Sequence, residues 1–333
     1  MMMMKNTQNE TDSYAILKGQ TQILRYIYGV FDGMALRCCV ELRIADIISN
    51  HGRPATLSEI ASGINSPSIN MDGLGRLMRF LVHKKVFDEM PKPEKGMGEG
   101  EKVYSLNYCS KWLLFDTNVT LAPMVMMRTD PSMVLPLHVL SRSIKEGGTT
   151  FKMTHGEEMF DFSQHNSEFN RIFNEGMACN AEITLDVIIS KYKNGFLGLK
   201  GRVVDVGGGT GVAISTIVKT YPHLKGSTLI CLMLFPLHQH TMGLPIGFCM
   251  IGVMKTVSRF LQTVEKRYLK NNSTEDDFFD DTRLTYDLVM FSHFSGGRER
   301  TESEWKKLLE EGGFCRYNII KIPAMQSIIE AFP

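Results

Sequence analysis

The chain has 333 residues, with 37 Lys and Arg against 36 Asp and Glu. That length accommodates two modest domains with buried cores, and a charge balance near zero excludes a general electrostatic pull toward nucleic acid or an anionic membrane. Seven Cys without a CxxC pair, and no signal peptide, point to a reducing compartment, so a cytoplasmic protein is expected.

Residues 1–12 are polar and predict a disordered tail. Ile23, Ile27, Val30 and Met34 recur at helical spacing, and Ala35–Ile48 continues apolar. Helices this apolar expose too much surface alone, which predicts an interface between subunits. Thr56-Leu57-Ser58-Glu59 is a capping box that opens a short helix. Leu74, Leu77, Met78, Leu81 and Val82 mark a second amphipathic helix. Lys92–Lys102 is rich in Pro, Gly and charge, and Val103–Leu106 alternates like a strand. Two helices followed by a hairpin form a winged-helix pattern over residues 13–120. Such a module can read DNA, and Arg76 and Arg79 lie on its second helix, but apolar residues fill most other faces, so packing and dimerisation are the expected role.

Residues 121–194 predict a helical linker, and an α/β domain over residues 195–333 follows. Ser227–Met254 contains no Asp, Glu, Lys or Arg, yet Pro236, Pro245, His238 and His240 interrupt it, which argues against a membrane span.

The chemistry-bearing motif begins with Val203–Val206, a buried strand that runs into Gly207, Gly208, Gly209, Thr210 and Gly211 before a helix at Ala213–Tyr221. Glycines let the backbone turn sharply and approach a ligand. A dinucleotide site wants a third Gly where Val212 stands. The tighter spacing favours a ligand without phosphates, with Asp205 available to its ammonium group; a dinucleotide remains the alternative ligand. No metal-ligand spacing is present.

GRVVDVGGGTG, HNSEFNRIFNEGMACN, SHFSGGRERTESEWKKLLEEGGF and IIKIPAMQSIIEAFP together resemble plant caffeic-acid-type O-methyltransferases. The resemblance runs from about Ile16 to Pro333 except for one internal block. ISNHGRPATLSEI, LVHKK, SKWLL and RYNIIKIPA are most similar to enzymes that methylate benzylisoquinoline alkaloids and related phenolics. The resemblance implies an α/β fold: a Rossmann-like methyltransferase domain with an N-terminal helical winged-helix dimerisation domain, in a homodimer. It implies S-adenosyl-L-methionine as cofactor and a small phenolic substrate from plant secondary metabolism, with neither nucleic acid nor membrane as partner. It also implies that a His deprotonates the phenol, whose oxygen then attacks the sulfonium methyl in line. A base is needed because a phenol with a pKa near 10 is mostly protonated at neutral pH. By motif match, Glu299 is a carboxylate that orients that His, and Phe173, Met177, Asn180, Met290 and Phe294 line the phenol pocket. For Phe173 and Met177 core packing is an equal reading on spacing alone, and for Glu299 a surface ion pair.

The pattern then breaks. No acidic residue stands between Asp205 and Glu265, where overall composition predicts roughly six. The family's ribose-binding acid, at the end of the second strand, is replaced by Ile230. The catalytic His of an HDWSDE-type motif is absent, and the strand after it is missing. Reading the message one letter earlier allows Thr228–Leu234 to become Asn-Phe-Asp-Leu-Pro-His-Val. Phe248–Val257 and their neighbours then become Ile-Leu-His-Asp-Trp-Ser-Asp-Glu-Asp-Cys, with the His codon straddling Cys249 and Met250, and Val264–Lys270 become Cys-Arg-Lys-Ala-Ile-Pro-Glu. Each shifted position admits only about four residues, so three such runs in one frame argue against accident. A frameshift near Gly226, restored near Asn271–Thr274, is expected, with a separate deletion of the intervening strand and residues 227–273 aberrant. Two core strands are then expected to be lost. The competing reading is a catalytically inactive dimerising homologue from a decayed gene.

Overall fold

The computed structural model describes residues 2–91, 102–117, 119–206, 210–229, 250–253, 260–265, 280–322 and 326–332. They fall into two compact units, Met1–Thr129 and Asp130–Pro333.

In the first unit, α1 (Met2–Tyr28) begins where a disordered tail was expected. Neither Gly nor Pro interrupts residues 1–18, and Met favours helix. α2 (Val30–Glu41) and α3 (Ile44–His51) follow. Along α1 and α2, Ile16, Leu17, Ile23, Tyr26, Ile27, Val30 and Phe31 are exposed. β1 (Ala55–Thr56) leads into α4 (Leu57–Gly63). The capping box forms as the sequence predicts: Glu59 N–H donates to Thr56 Oγ1 at 3.2 Å and Thr56 N–H donates to Glu59 Oε2 at 2.8 Å. α5 (Met71–His83) buries Leu74, Met78 and Leu81, while Arg76 turns outward and pairs with Asp72 at 2.9 Å. β3 (Lys102–Leu106) lies antiparallel between β1 and β2 (Phe87–Pro91). α6 (Ala122–Arg128) joins this unit, since Arg37 on α2 donates to Met126 O and Thr129 Oγ1, both at 3.3 Å. The expected linker over residues 121–194 is therefore divided between the units.

The second unit opens with α7 (Pro131–Val134) and a 3₁₀ turn at Leu135–Val139. α8 (Leu140–Glu146), α9 (Thr150–His155), α10 (Met159–His165), α11 (Ser167–Lys191) and α12 (Lys193–Gly198) follow. β4 (Gly201–Val206), α13 (Val212–Thr220) and β5 (Leu224–Leu229) form a parallel strand–helix–strand unit in unbroken register from Gly201↔Leu224 to Val206↔Leu229. α13 presses on β5 so closely that a Cβ on Gly226 would stand 2.7 Å from both Ile214 Cγ1 and Val218 Cγ2.

The sheet continues through β6 (Met250–Val253), β7 (Phe260–Glu265), β9 (Gln326–Phe332) and β8 (Arg316–Lys321), in the order β5-β4-β6-β7-β9-β8. Between β7 and β8 the chain forms α14 (Asp280–His293) and α15 (Glu302–Glu311). Two strands thus stand between β4 and β9, where strand loss was expected, and β5 also forms. Their pairing nevertheless departs from a parallel core. β6 runs antiparallel to both β4 and β7, and β9 antiparallel to β7 and β8. Only six residues separate β6 from β7, too few for the crossover that a parallel neighbour needs.

The two faces of β9 enter different cores. Ile328 packs with Val203, Ile217, Leu185 and Phe196, against α11, α12 and α13. Ile329 and Ala331 pack with Trp305 and Leu309 of α15. Because side chains alternate along a strand, helices cover the sheet on both sides, the doubly covered arrangement of α/β domains.

Candidate active site and family

β4 carries Asp205 to its carboxyl end, fully buried. Gly207, Gly208 and Gly209 lie outside the described residues, as does Ile230. Thr210 is exposed, and Gly211 (φ +78°) forms the N-cap of α13, whose first bond runs from Ser215 N–H to Gly211 O at 3.0 Å. This left-handed conformation suits Gly and strains any residue with a Cβ. The first amides of α13 therefore open at the strand's carboxyl end, where α/β sheets bind ligands.

A second set of residues gathers around α11 and α14. Phe173 and Phe294 are buried, and Phe160 of α10 bridges them, its ring centroid 6.3 Å from each. Met290 is buried one turn before Phe294, and Met177 and Asn180 are half-buried one and two turns beyond Phe173. The structure thus brings Phe173 and Phe294 to one aromatic wall. Phe160 was missed because nothing in its own spacing distinguishes it from an ordinary amphipathic position.

Glu299 is buried, not at the surface. The loop that carries it folds back tightly on α14. A Cβ on Gly297 would stand 2.5 Å from Met290 O and 2.8 Å from Phe294 Cβ, and Gly296 has φ +70°. Asp287 Oδ1 accepts from the Glu299 amide at 2.8 Å, which fixes the loop's far end. Arg300, also buried, lies with its guanidinium carbon 5.4 Å from the Trp305 ring. Burial holds its pKa below the usual range, with Arg298 adding to that effect. The positions expected to regain a catalytic His, around Cys249, lie outside the described residues except for Met250. Among the described residues no cluster of His, Cys, Asp and Glu could hold a metal, and no helix is long and apolar enough to cross a membrane.

A profile described as the O-methyltransferase dimerisation domain matches residues 24–116, and one described as the O-methyltransferase domain matches residues 137–231. Desmethylxanthohumol 6'-O-methyltransferase of Humulus lupulus is 40% identical, over 95% of this chain and 99% of that protein. The chain belongs to the O-methyltransferase family. (R,S)-reticuline 7-O-methyltransferase of Papaver somniferum is 36% identical over 95% of this chain and 98% of that protein. Human N-acetylserotonin methyltransferase in complex with SAM shares the fold, with a TM-score of 0.72 at 16% identity over 94% of this chain and 97% of that one. The mitomycin 7-O-methyltransferase MmcR does so with a TM-score of 0.69 at 18% identity, over 96% of this chain and 99% of that one.

This family uses S-adenosyl-L-methionine, and the fold is its Rossmann-like methyltransferase domain with an N-terminal dimerisation domain. One feature of the matches bears on residues 227–273. The methyltransferase profile stops at residue 231. The Humulus match extends over 351 residues, while 95% of this 333-residue O-methyltransferase amounts to about 316. The alignment therefore spans roughly 35 more positions than this chain contributes residues to it.

Proposed function

We propose that this chain transfers the methyl group of S-adenosyl-L-methionine to a phenolic hydroxyl of a plant secondary metabolite: a phenylpropanoid, a flavonoid or a benzylisoquinoline alkaloid. The observation that carries this reading is the β4–Gly211–α13 turn with a buried carboxylate at its strand end, in a chain whose relatives are named for methylating such phenols.

The cofactor supplies a methyl group activated on a sulfonium. At its amino-acid end the residues fit. Asp205 is a buried carboxylate at the end of β4, beside the first amides of α13, and its negative charge suits the cofactor's α-ammonium. At its ribose end the fit is incomplete. Ile230 cannot accept from hydroxyls, which forfeits a charge-assisted hydrogen bond of about 1.5–3 kcal/mol.

Phe160, Phe173 and Phe294, with Met177 and Met290, form an apolar wall for a phenol ring, and Asn180 offers it a polar contact. This wall excludes water and holds the reacting oxygen in place, which lowers the barrier by orientation. By motif match, Glu299 would be one of the carboxylates that orient a base. In the recorded frame that base is absent, and its loss lowers the rate about 10²–10⁴-fold. The relatives' names favour the enzyme over the inactive dimerising homologue.

The reading is tested by incubating the purified chain with methyl-labelled S-adenosyl-L-methionine and either desmethylxanthohumol or reticuline. Slow label transfer to the phenol, abolished by Phe294→Asp, is the expected result. Cofactor binding without any transfer would sink the catalytic reading and favour the inactive homologue.

A further inference from the structure

The start of the second unit is held by a pair of histidines that the reaction scheme does not use. His155, the last residue of α9, places Nε2 2.9 Å from Ser132 O. His293, the last residue of α14 and buried, places Nε2 3.0 Å from Met133 O. Two consecutive carbonyls of α7 thus face imidazole nitrogens from two elements far apart in sequence. The last carbonyls of any helix lack intrahelical donors. Here the shortage is built in, because Pro136 is four residues after Ser132 and three after Met133 and has no N–H. Carbonyl oxygens can only accept, so His155 presents its Nε2–H, whereas His293 has a carbonyl at each ring nitrogen and, when neutral, donates to one of them.

The rings are held in turn. Phe151 lies 4.4 Å from the His155 ring and 6.1 Å from the His293 ring, between centroids, and Phe162 lies 4.6 Å from His155. Thr150 Oγ1 donates to Ser292 O at 2.8 Å, which ties α9 to the residue before His293. His293 Nδ1 faces Val289 O at 3.1 Å, on its own helix. The residue after His293 is Phe294, and Met290 is three before it.

We propose that His155 and His293 are positioning residues: a two-histidine clamp on the Ser132 and Met133 carbonyls that fixes the segment entering the catalytic unit and, through it, the end of α14 that presents Met290 and Phe294. The link to those two residues as substrate wall rests on the phenol-pocket reading above; the clamp does not. His→Phe keeps an aromatic ring and removes the donor, whereas His→Gln keeps a donor and removes the ring. A donor-based clamp therefore predicts that Gln rescues what Phe loses.

The experiment is hydrogen–deuterium exchange of the full chain, comparing His155→Phe, His155→Gln, His293→Phe and His293→Gln with the parent. Peptides covering residues 131–140 and 286–297 are followed, with titration of desmethylxanthohumol and of S-adenosyl-L-methionine in parallel. Loss of one net hydrogen bond should raise local exchange about five-fold. The clamp predicts that each Phe variant does so in both peptides while the Gln variants stay near the parent. If the buried His293→Phe variant does not fold, His155→Phe, on a half-buried ring, still decides the matter through the 286–297 peptide, which is remote from it in sequence. Exchange confined to the mutated element, or equal effects of Phe and Gln, would overturn the clamp. Exchange changes as predicted in a parent that binds cofactor but no phenol would support the clamp and count against the pocket reading alone.

Discussion

At the residue scale, the site depends on a few positions where no other side chain fits. Gly297 is the clearest, because the atom a Cβ would meet is a backbone oxygen at 2.5 Å, which cannot swing aside as a side chain can. Gly297→Val should displace the loop that carries Glu299 and cost stability in the range of overpacked cores, about 1–3 kcal/mol. Chemical denaturation measures the loss, and an unchanged midpoint would show that the loop is looser than described. Asp205 and the glycine turn are legible in the sequence because their spacing is local. Phe173 and Phe294 enter through a resemblance, and the structure brings them together through Phe160. His155 and His293 could not be read in advance. Each acts on a carbonyl 23 or 160 residues away, and no local pattern records such a contact.

At the scale of single elements, local rules worked where the partners are neighbours. The α4 capping box satisfies two orphan amides with one Thr and one Glu, and Arg53, hydrogen-bonded to Glu59, holds that carboxyl well below the usual range. Thr56→Ala should cost about 1 kcal/mol, within the range for lost caps, measured by urea titration. No shift in midpoint would mean that β1 pairing, not the cap, holds this turn. The sheet shows the limit of such reading. Parallel β4 and β5 follow from a strand, a glycine turn and a helix in sequence. The antiparallel placement of β6 has no sequence signal, because residues 227–273 depart from the pattern that defines the rest of the domain.

At the scale of the whole molecule, two features call for something beyond this chain as recorded. The exposed apolar side chains of α1 and α2 need a cover, and a dimerisation domain over residues 24–116 makes a second copy the expected one. Ile27→Asp with Phe31→Asp should shift the chain from dimer to monomer in light scattering, and a persistent dimer would place the interface elsewhere. The block at 227–273 makes a separate prediction at the level of the message. Sequencing the transcript across the codons for Lys219 to Arg283 should reveal the alternative frame with His-Asp-Trp restored. The recorded frame found intact would make the absence of the base a property of the protein. Both outcomes leave the family assignment standing, since the two profiles match residues 24–116 and 137–231, almost wholly before the block.

The central claim is that the β4–α13 turn of this chain holds S-adenosyl-L-methionine, and isothermal titration of the purified protein with that cofactor tests it most directly. The account predicts saturable binding at one cofactor per chain, weakened about ten-fold or more by the missing ribose acid and lost in Asp205→Ala. A folded protein that takes up no cofactor at millimolar concentration, or an Asp205→Ala variant that binds as well as the parent, would contradict it.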